Sequence, residues 1–214
     1  MVILALFCAL AYAVTFIFHI KVAFLTFDAK DAVICLAAML FGPLSGLGIS
    51  LVVSLIEMIS VSDTGFWGFL MNFVSSATFA VVAGGFYHRF RKMWSAIAGL
   101  ALAVVANVCV MLPMNLLVTP IYMDTSREAV MEVIPPLLLP FNLIKSLLNA
   151  SLVLALYKPV STALKKAGVL PAGEGSKPAS RLRSALVLAC ALGIAVGCVV
   201  LMLFAFHGSF SLFK

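Results

Sequence analysis

The stretch LLLPFNLIKSLLNASLVLALY, residues 137–157, decides the fold of this chain. It is apolar over about 20 residues, the length of α-helix that crosses the hydrocarbon core of a bilayer. Its polar residues recur at helical spacing, so they share one face of the predicted helix. These residues are Asn142, Lys145, Ser146 and Asn149.

A lysine in a membrane span is costly, by about 2.5–3.5 kcal/mol at the helix centre on insertion scales. Such a residue usually faces the interior of a helix bundle or a hydrated cavity. Lys145 could instead extend its ammonium group to the headgroup region. That alternative leaves the aligned asparagines without an explanation, and the polar face therefore predicts a cavity that binds a ligand.

The composition indicates an integral membrane protein built from helices. The chain has 214 residues, of which 64% are hydrophobic and 10% charged. A soluble core does not need so much apolar sequence. The apolar runs are unbroken, whereas the strands of a membrane barrel alternate. The net charge of +6 comes without any nucleic-acid-binding motif, and the five cysteines suggest small apolar residues rather than disulfides or metal ligands.

Seven membrane spans are predicted from the apolar runs. The segment 21–33 is predicted as mostly a loop, Pro120 is predicted to end the fifth span, and a loop is predicted over 119–133. The last span has no polar face, so it is not expected to line the cavity. The predicted spans are 2–20, 32–41, 44–61, 66–87, 94–118, 137–157 and 184–206.

Two other spans carry polar residues that are candidates for the cavity. Ser50, Ser54 and Glu57 share one face of the third span. Glu57 either faces the cavity or lies close enough to the interface to be solvated. Asn72 in the fourth span is a further candidate, although an asparagine in a span often only bonds to another helix, for about 0.6 kcal/mol.

The orientation follows from the distribution of Lys and Arg. The segments 88–92 and 158–183 hold most of these residues, so they are predicted to be cytoplasmic together with the N-terminus. The polar positions 57, 115 and 142 then fall in the outer half of the membrane, which predicts an outward-facing pocket.

Four segments resemble the riboflavin-specific substrate-binding subunit, or S component, of energy-coupling factor (ECF) transporters. They are FDAKDAVICLAAMLFGPLSG (27–46), FLMNF (69–73), PMNLLVTPIYM (113–123) and LLPFNLIK (138–145). The resemblance implies a bacterial cell membrane protein with six helices around a vitamin pocket. It implies as partners a transmembrane coupling subunit and two ATP-hydrolysing subunits. This chain has no GxxxxGK[ST] run and is not expected to be an enzyme.

The resemblance also assigns residues. Asn115, Asn142 and Lys145 are predicted to hydrogen-bond riboflavin, which is the cargo; no cofactor, metal or catalytic residue is expected. Asp28 and Ala29 in the first loop are candidates for gating or backbone contacts. Asn72, Asn149 and Glu57 are further candidates for the pocket.

The resemblance further implies how the chain divides and where it docks. Ala5, Ala9 and Ala13 share one face of the first span and resemble the small-residue motif by which S components dock on the coupling subunit. The resemblance covers about residues 1–160, a six-helix vitamin-binding domain. Residues 161–183 are predicted to be a flexible basic linker, and 184–214 an additional span with a short tail.

Three alternatives remain open from the sequence. The first is an S component for another vitamin, such as thiamin or folate. The second is an intramembrane enzyme, which would need paired acids, a nucleophile with its base, or metal ligands within the spans. The third is a structural scaffold, which would leave Lys145 unexplained.

Overall fold

The computed structural model describes residues 2–17, 20–22, 25–62, 64–170, 181–205 and 210–211. These residues form a bundle of helices with three very short strands, so the all-α prediction is confirmed. In chain order the elements are α1 (Val2–Ile17), β1 (Ile20–Val22), β2 (Leu25–Phe27), α2 (Lys30–Phe41), α3 (Pro43–Ser60), α4 (Gly65–Phe90), α5 (Met93–Met123), α6 (Arg127–Val133), a π-helical turn (Ile134–Leu138), α7 (Leu139–Lys166), α8 (Arg181–Ala205) and β3 (Phe210–Ser211).

Within the described chain, four helices are long and apolar enough to span a membrane. They are α3, α4, the part of α5 from Trp94, and the continuous helical segment Arg127–Lys166. The described parts of α1 and of α8 from Leu188 to Leu201 are shorter apolar helices. Many large apolar side chains of these helices point outward, as expected where lipid replaces water around the bundle.

Helix α2 lies at the centre of the bundle and contacts α1, α3, α4 and α7. All of its residues from Lys30 to Met39 are buried. A helix enclosed on all sides needs apolar residues all round, and the run AVICLAAM supplies them. Since the two charged residues of α2 come in its first turn, the charge of this buried helix is confined to one of its ends.

Small residues let α2 approach its neighbours closely. Ala38 lies between Gly46 of α3 and Gly84 of α4. A Cβ atom at Gly46 would lie 2.6 Å from the Cβ of Ala38, and one at Gly84 would lie 2.7 Å from it. At Gly84 the backbone carbon and oxygen of Ala38 are also only 3.0 Å away. The backbones of α2 and α4 are therefore packed at a distance that only glycine allows.

Gly84→Ala is expected to destabilise the bundle by about 1–3 kcal/mol, the usual cost of overpacking a core. The matched control is Gly85→Ala, because a Cβ atom there meets nothing within 4 Å. That substitution should be neutral or stabilising by up to about 1 kcal/mol from helix propensity. Thermal unfolding of both variants in detergent measures the difference, and equal midpoints would contradict the close packing of α2 on α4.

The segment predicted as a loop over 21–33 is more regular than expected. Its first part forms strands β1 and β2, which pair antiparallel, with Lys21 opposite Thr26. Helix α2 then begins at Lys30, within the predicted loop. Strands of three residues are too short to show alternation. The charges in the first turn of α2 favoured a loop over a buried helix, because the sequence does not show which residues compensate them.

The end of α5 is also different from the prediction. The helix continues through Pro113 and Pro120 and ends at Met123, and α6 occupies part of the predicted 119–133 loop. The end is set by Asp124, which has a left-handed φ of 51° and donates its N–H to the carbonyl of Pro120. The prediction that Pro120 ends the helix was therefore wrong.

Helix α7 extends into the predicted linker. It passes Pro159 and ends at Lys166, so residues 161–166 are helical rather than flexible. Proline removes one intrahelical hydrogen bond, and the helix-forming residues after it continue the turn. Residues 171–180 of the predicted linker lie outside the described residues, and helix α8, at 181–205, is close to the predicted last span.

Candidate substrate site

A cavity of about 510 Å³ lies at one end of the bundle. Its wall is built from α1, β2, the start of α2, the end of α3, the start of α4, the end of α5 and the start of α7. The basic segment 88–92 begins in the last turn of α4, whose first turns line the cavity, so this segment lies at the opposite end of a 26-residue helix. A volume of this size is typical of sites for drug-sized ligands.

Lys145 lies inside this cavity wall and is only 6% exposed. Its ammonium nitrogen donates to a carboxylate oxygen of Asp28 at 3.1 Å and to the carbonyl oxygen of Thr26 at 3.5 Å. A carboxylate oxygen of Asp31 lies 3.8 Å away. The alternative that Lys145 extends to the headgroups is therefore wrong. Its charge is compensated by α2 and by the segment before it, rather than by the asparagines of its own helix.

A second ion pair continues the same network. Lys30 donates to a carboxylate oxygen of Glu57, and its nitrogen also lies 3.8 Å from a carboxylate oxygen of Asp28. Glu57 also accepts from the hydroxyl of Thr15 at 2.8 Å and from the side-chain amide of Asn72 at 3.3 Å. Glu57 is 3% exposed and lines the cavity, so it is a cavity residue and not a solvated interfacial one.

The network contains three carboxylates and two ammonium groups, which gives a formal charge of −1 if all five are ionised. Removing one partner of a buried pair leaves an uncompensated charge, at a cost of about 3–5 kcal/mol. The third carboxylate, Asp31, accepts a hydrogen bond from the hydroxyl of Ser76. The charged groups thus hold α2, α3 and α7 in register around the cavity before any ligand arrives.

Two predicted binding residues are amides in the cavity wall. Asn115 donates its side-chain amide to the carbonyl of Met111 at 2.8 Å and accepts from Thr119 at 3.3 Å. Asn142 donates to the carbonyl of Leu138 at 2.7 Å. These bonds to residues four positions away in the same helix fix the orientation of each side chain. Asn115, Asn142 and Lys145 are therefore brought together at one cavity, together with Asp28, Asn72 and Glu57.

Asn149, which was predicted to lie in the pocket, is not among the described residues that line the cavity, and neither is Ala29, whose role in gating or backbone contacts stays a prediction. The side-chain oxygen of Asn149 accepts the backbone N–H of Ala32 at 2.8 Å. Its amide donates to the carbonyls of Asp28 at 3.1 Å and Lys145 at 3.0 Å. Ala29 precedes the first turn of α2 and has no capping side chain, so Asn149 caps that helix from α7.

Sequence reasoning did not assign Lys30, Asp31, Thr15 or Ser76 to the site. The available signal was the run DAKD at 28–31, three charges directly ahead of an apolar helix. Charged residues at that position are compatible with a solvated loop. Only the tertiary structure shows that Lys30 and Asp31 are buried, at 1% and 2% exposure.

The cavity also has an apolar surface. Leu25, Met71, Met111 and Phe141 line it beside the polar groups. Phe141 packs edge-to-face on Phe27, with ring centroids 6.1 Å apart, which holds the phenyl ring in the wall. The site can thus receive a ligand that has a flat apolar part and several hydrogen-bonding groups.

The alanine face lies on the outside of the bundle. Ala5, Ala9 and Ala13 are exposed, whereas Phe7 and Ala11 of the same helix are buried. The small residues are thus free to meet a helix of another chain. Their role in docking stays a prediction.

Comparisons with known proteins agree with this architecture. A family model for the substrate-specific component of ECF transporters matches residues 1–157. The chain is 28% identical over 176 residues to the riboflavin transporter RibU of Staphylococcus aureus (strain TCH60), which covers 78% of this chain and 92% of that protein. The solved S component of a bacterial ECF transporter matches with a TM-score of 0.64 and 28% identity, over 76% of this chain and 95% of the other.

The predicted family and the predicted S-component bundle are confirmed by these matches. The family match covers residues 1–157 and therefore stops before α8 and β3. We conclude that the chain belongs to the family of substrate-specific components of ECF transporters, which are membrane transport subunits rather than enzymes.

Proposed function

We propose that this protein binds riboflavin in the cavity and delivers it to an ECF transport module. One observation carries the proposal: a single cavity combines polar groups with an aromatic and apolar wall. The polar groups are the buried Lys145–Asp28 pair and the oriented amides of Asn115 and Asn142. Riboflavin has a flat ring system with an imide-like edge and a chain of hydroxyls. Such a ligand needs both kinds of surface.

The relative from S. aureus supports riboflavin as the cargo, because that protein is a riboflavin transporter and the match extends over most of both chains. Riboflavin would be a transported substrate and not a cofactor. The partners would be a transmembrane coupling subunit and two ATP-hydrolysing subunits, since this sequence has no phosphate-binding loop of its own.

The distribution of basic residues supports an orientation with the N-terminus in the cytoplasm. The cavity lies at the end opposite the basic segment 88–92 and the lysines that end α7. If the basic end is cytoplasmic, the cavity opens toward the outside of a bacterial cell membrane. This is the direction from which a vitamin would be captured.

Purification in detergent tests the cargo directly. Protein from cells grown with riboflavin should be yellow and show flavin absorbance. Ligand-free protein should quench the fluorescence of added riboflavin in a saturable titration. Thiamin and folate serve as competitors. If neither vitamin displaces riboflavin, the proposal is supported. If one of them binds saturably and riboflavin does not bind, that vitamin is the cargo.

Asn142→Leu is expected to weaken riboflavin binding about 2–150-fold, which corresponds to about 0.5–3 kcal/mol for a lost hydrogen bond and an unsatisfied partner. The matched control is Asn107→Leu. Asn107 is a buried amide that donates to Ser146 at 2.9 Å but does not line the cavity. The Asn107→Leu variant should have a lower unfolding temperature but a smaller loss of riboflavin affinity than Asn142→Leu. An equal loss of affinity in the two variants would remove Asn142 from the site.

A further inference from the structure

The C-terminal segment returns to the end of the bundle that holds the cavity. Strand β3 pairs antiparallel with β1, so the sheet has the order β2-β1-β3. Ser211 lies opposite Lys21, and Phe210 lies opposite Val22. Since β1 follows α1 and β3 follows α8 along the chain, the C-terminal ends of these two helices lie on the same side of the bundle.

Helix α8 makes a second contact with the same region. It packs along α7, and Ala191 and Cys198 are its buried residues among those with described side chains. Cys198 belongs to one apolar cluster with Leu25 and Phe27 of β2 and with Phe141, which lines the cavity at the start of α7. The extension thus pairs with the strand pair through the backbone of β3, while α8 packs on α7 beside it.

The strand pair that the extension holds is part of the cavity wall. Leu25 and Thr26 line the cavity. The carbonyl of Thr26 accepts from Lys145, and Asp28, which forms the ion pair with Lys145, comes two residues later. Outward movement of β1 and β2 would therefore open the wall and disturb the buried network at the same time.

We propose that α8 and β3 form a positioning element that holds the β1–β2 pair against the cavity and slows the exchange of substrate. The element lies beyond residue 157, where the family match ends, so it is an addition to the transport domain. For the identity of the substrate, this inference rests on the proposed function. An additional strand can bind an unpaired strand edge through main-chain hydrogen bonds alone, without contributing side chains to the site.

The first readout needs no ligand. Phe210→Pro combined with Ser211→Pro keeps the whole chain but removes both backbone N–H groups of β3. N–H groups alternate in direction along an antiparallel strand, so one of the two faces β1. Removing both N–H groups therefore removes the one that pairs with β1, whichever residue carries it. Phe210→Ala combined with Ser211→Ala is the matched control, since it retains the N–H groups.

Hydrogen–deuterium exchange on ligand-free protein is expected to be faster at residues 20–22 and 25–27 in the double-proline variant, and unchanged in α4. The double-alanine control should resemble the wild type. Deletion of residues 206–214, which keeps α8, should give the same result as the prolines. If the double-proline variant exchanges at these strands as slowly as the wild type, the proposal is overturned.

The second readout is the dissociation rate of riboflavin in a stopped-flow fluorescence experiment. The double-proline variant should release riboflavin roughly three to ten times faster than the double-alanine control, and it should also bind faster. Faster strand exchange with an unchanged release rate would overturn the role in substrate exchange. If the wild type binds no riboflavin, the proposed cargo is wrong, while the exchange experiment still decides whether the extension holds the strand pair.

Discussion

Lys145→Met is expected to weaken the folded bundle and riboflavin binding together. The substitution keeps the length of the side chain and removes the cation that lies 3.1 Å from Asp28 and 3.8 Å from Asp31. Leaving a buried charge without its partner costs about 3–5 kcal/mol of stability. Loss of a charged donor to the ligand should reduce affinity by about 1.5–3 kcal/mol, which is about 10–150-fold.

A double variant separates these two effects. Lys145→Met with Asp28→Asn removes one charge of each sign, so the network returns to its original formal charge. We expect this variant to recover part of the lost stability but not the lost affinity. Unfolding in detergent measures the stability, and riboflavin fluorescence titration measures the affinity.

Two results would contradict this account of Lys145. Equal dissociation constants for the wild type and Lys145→Met would remove the lysine from the binding site. A double variant no more stable than Lys145→Met would mean that uncompensated charge is not the cause of the instability. In that case loss of the packing of the lysine stem would explain it better.

The sequence could predict the face on which Lys145 lies but not its partners. Helical periodicity aligns Asn142, Lys145 and Asn149 on one side of a span, and the structure agrees that this side is buried. The partners Asp28 and Asp31 are more than 110 positions earlier in the chain. Periodicity within one helix carries no information about which distant segment packs on that face.

The same limit explains the role of Asn149. It shares the polar face with Lys145, but it caps α2 instead of lining the cavity. Which of two aligned amides reaches a cavity depends on the depth at which a neighbouring helix begins. That depth is set by the start of α2 at Lys30. The sequence did not predict this start, because the charged segment before the apolar run was interpreted as a loop.

The short strands were beyond sequence prediction for a different reason. Strands β1 and β2 have three residues each and β3 has two, so none is long enough to show alternation. The pairing of β3 with β1 also depends on α8 bringing the C-terminal segment back to β1. The expectation that the last span would not line the cavity agrees with the described lining residues, yet Cys198 of α8 belongs to the same apolar cluster as Leu25 and Phe27 of β2.

Ala9→Trp is expected to abolish uptake of riboflavin by cells while leaving its binding to the purified protein unchanged. Ala9 is exposed on α1 and is absent from the cavity wall, so a larger side chain there should not disturb the site. Two helices in lipid approach closely only where small residues meet, and an indole ring would hold the coupling subunit away. The effect on uptake should be nearly complete, because a subunit without an ATPase motif cannot drive transport alone.

The matched control for Ala9→Trp is Ala101→Trp on α5, which places the same side chain on another exposed helix surface. Uptake of labelled riboflavin by cells that express the complete transporter measures the outcome, and co-purification of the coupling subunit measures the docking. If cells that express the Ala9→Trp variant take up riboflavin normally, the alanine face is not the docking surface. If Ala101→Trp loses uptake equally, the bulk of tryptophan in the membrane, and not a specific contact of α1, is responsible. Loss confined to Ala9→Trp, with the coupling subunit absent from the purified complex, would place the interface on α1.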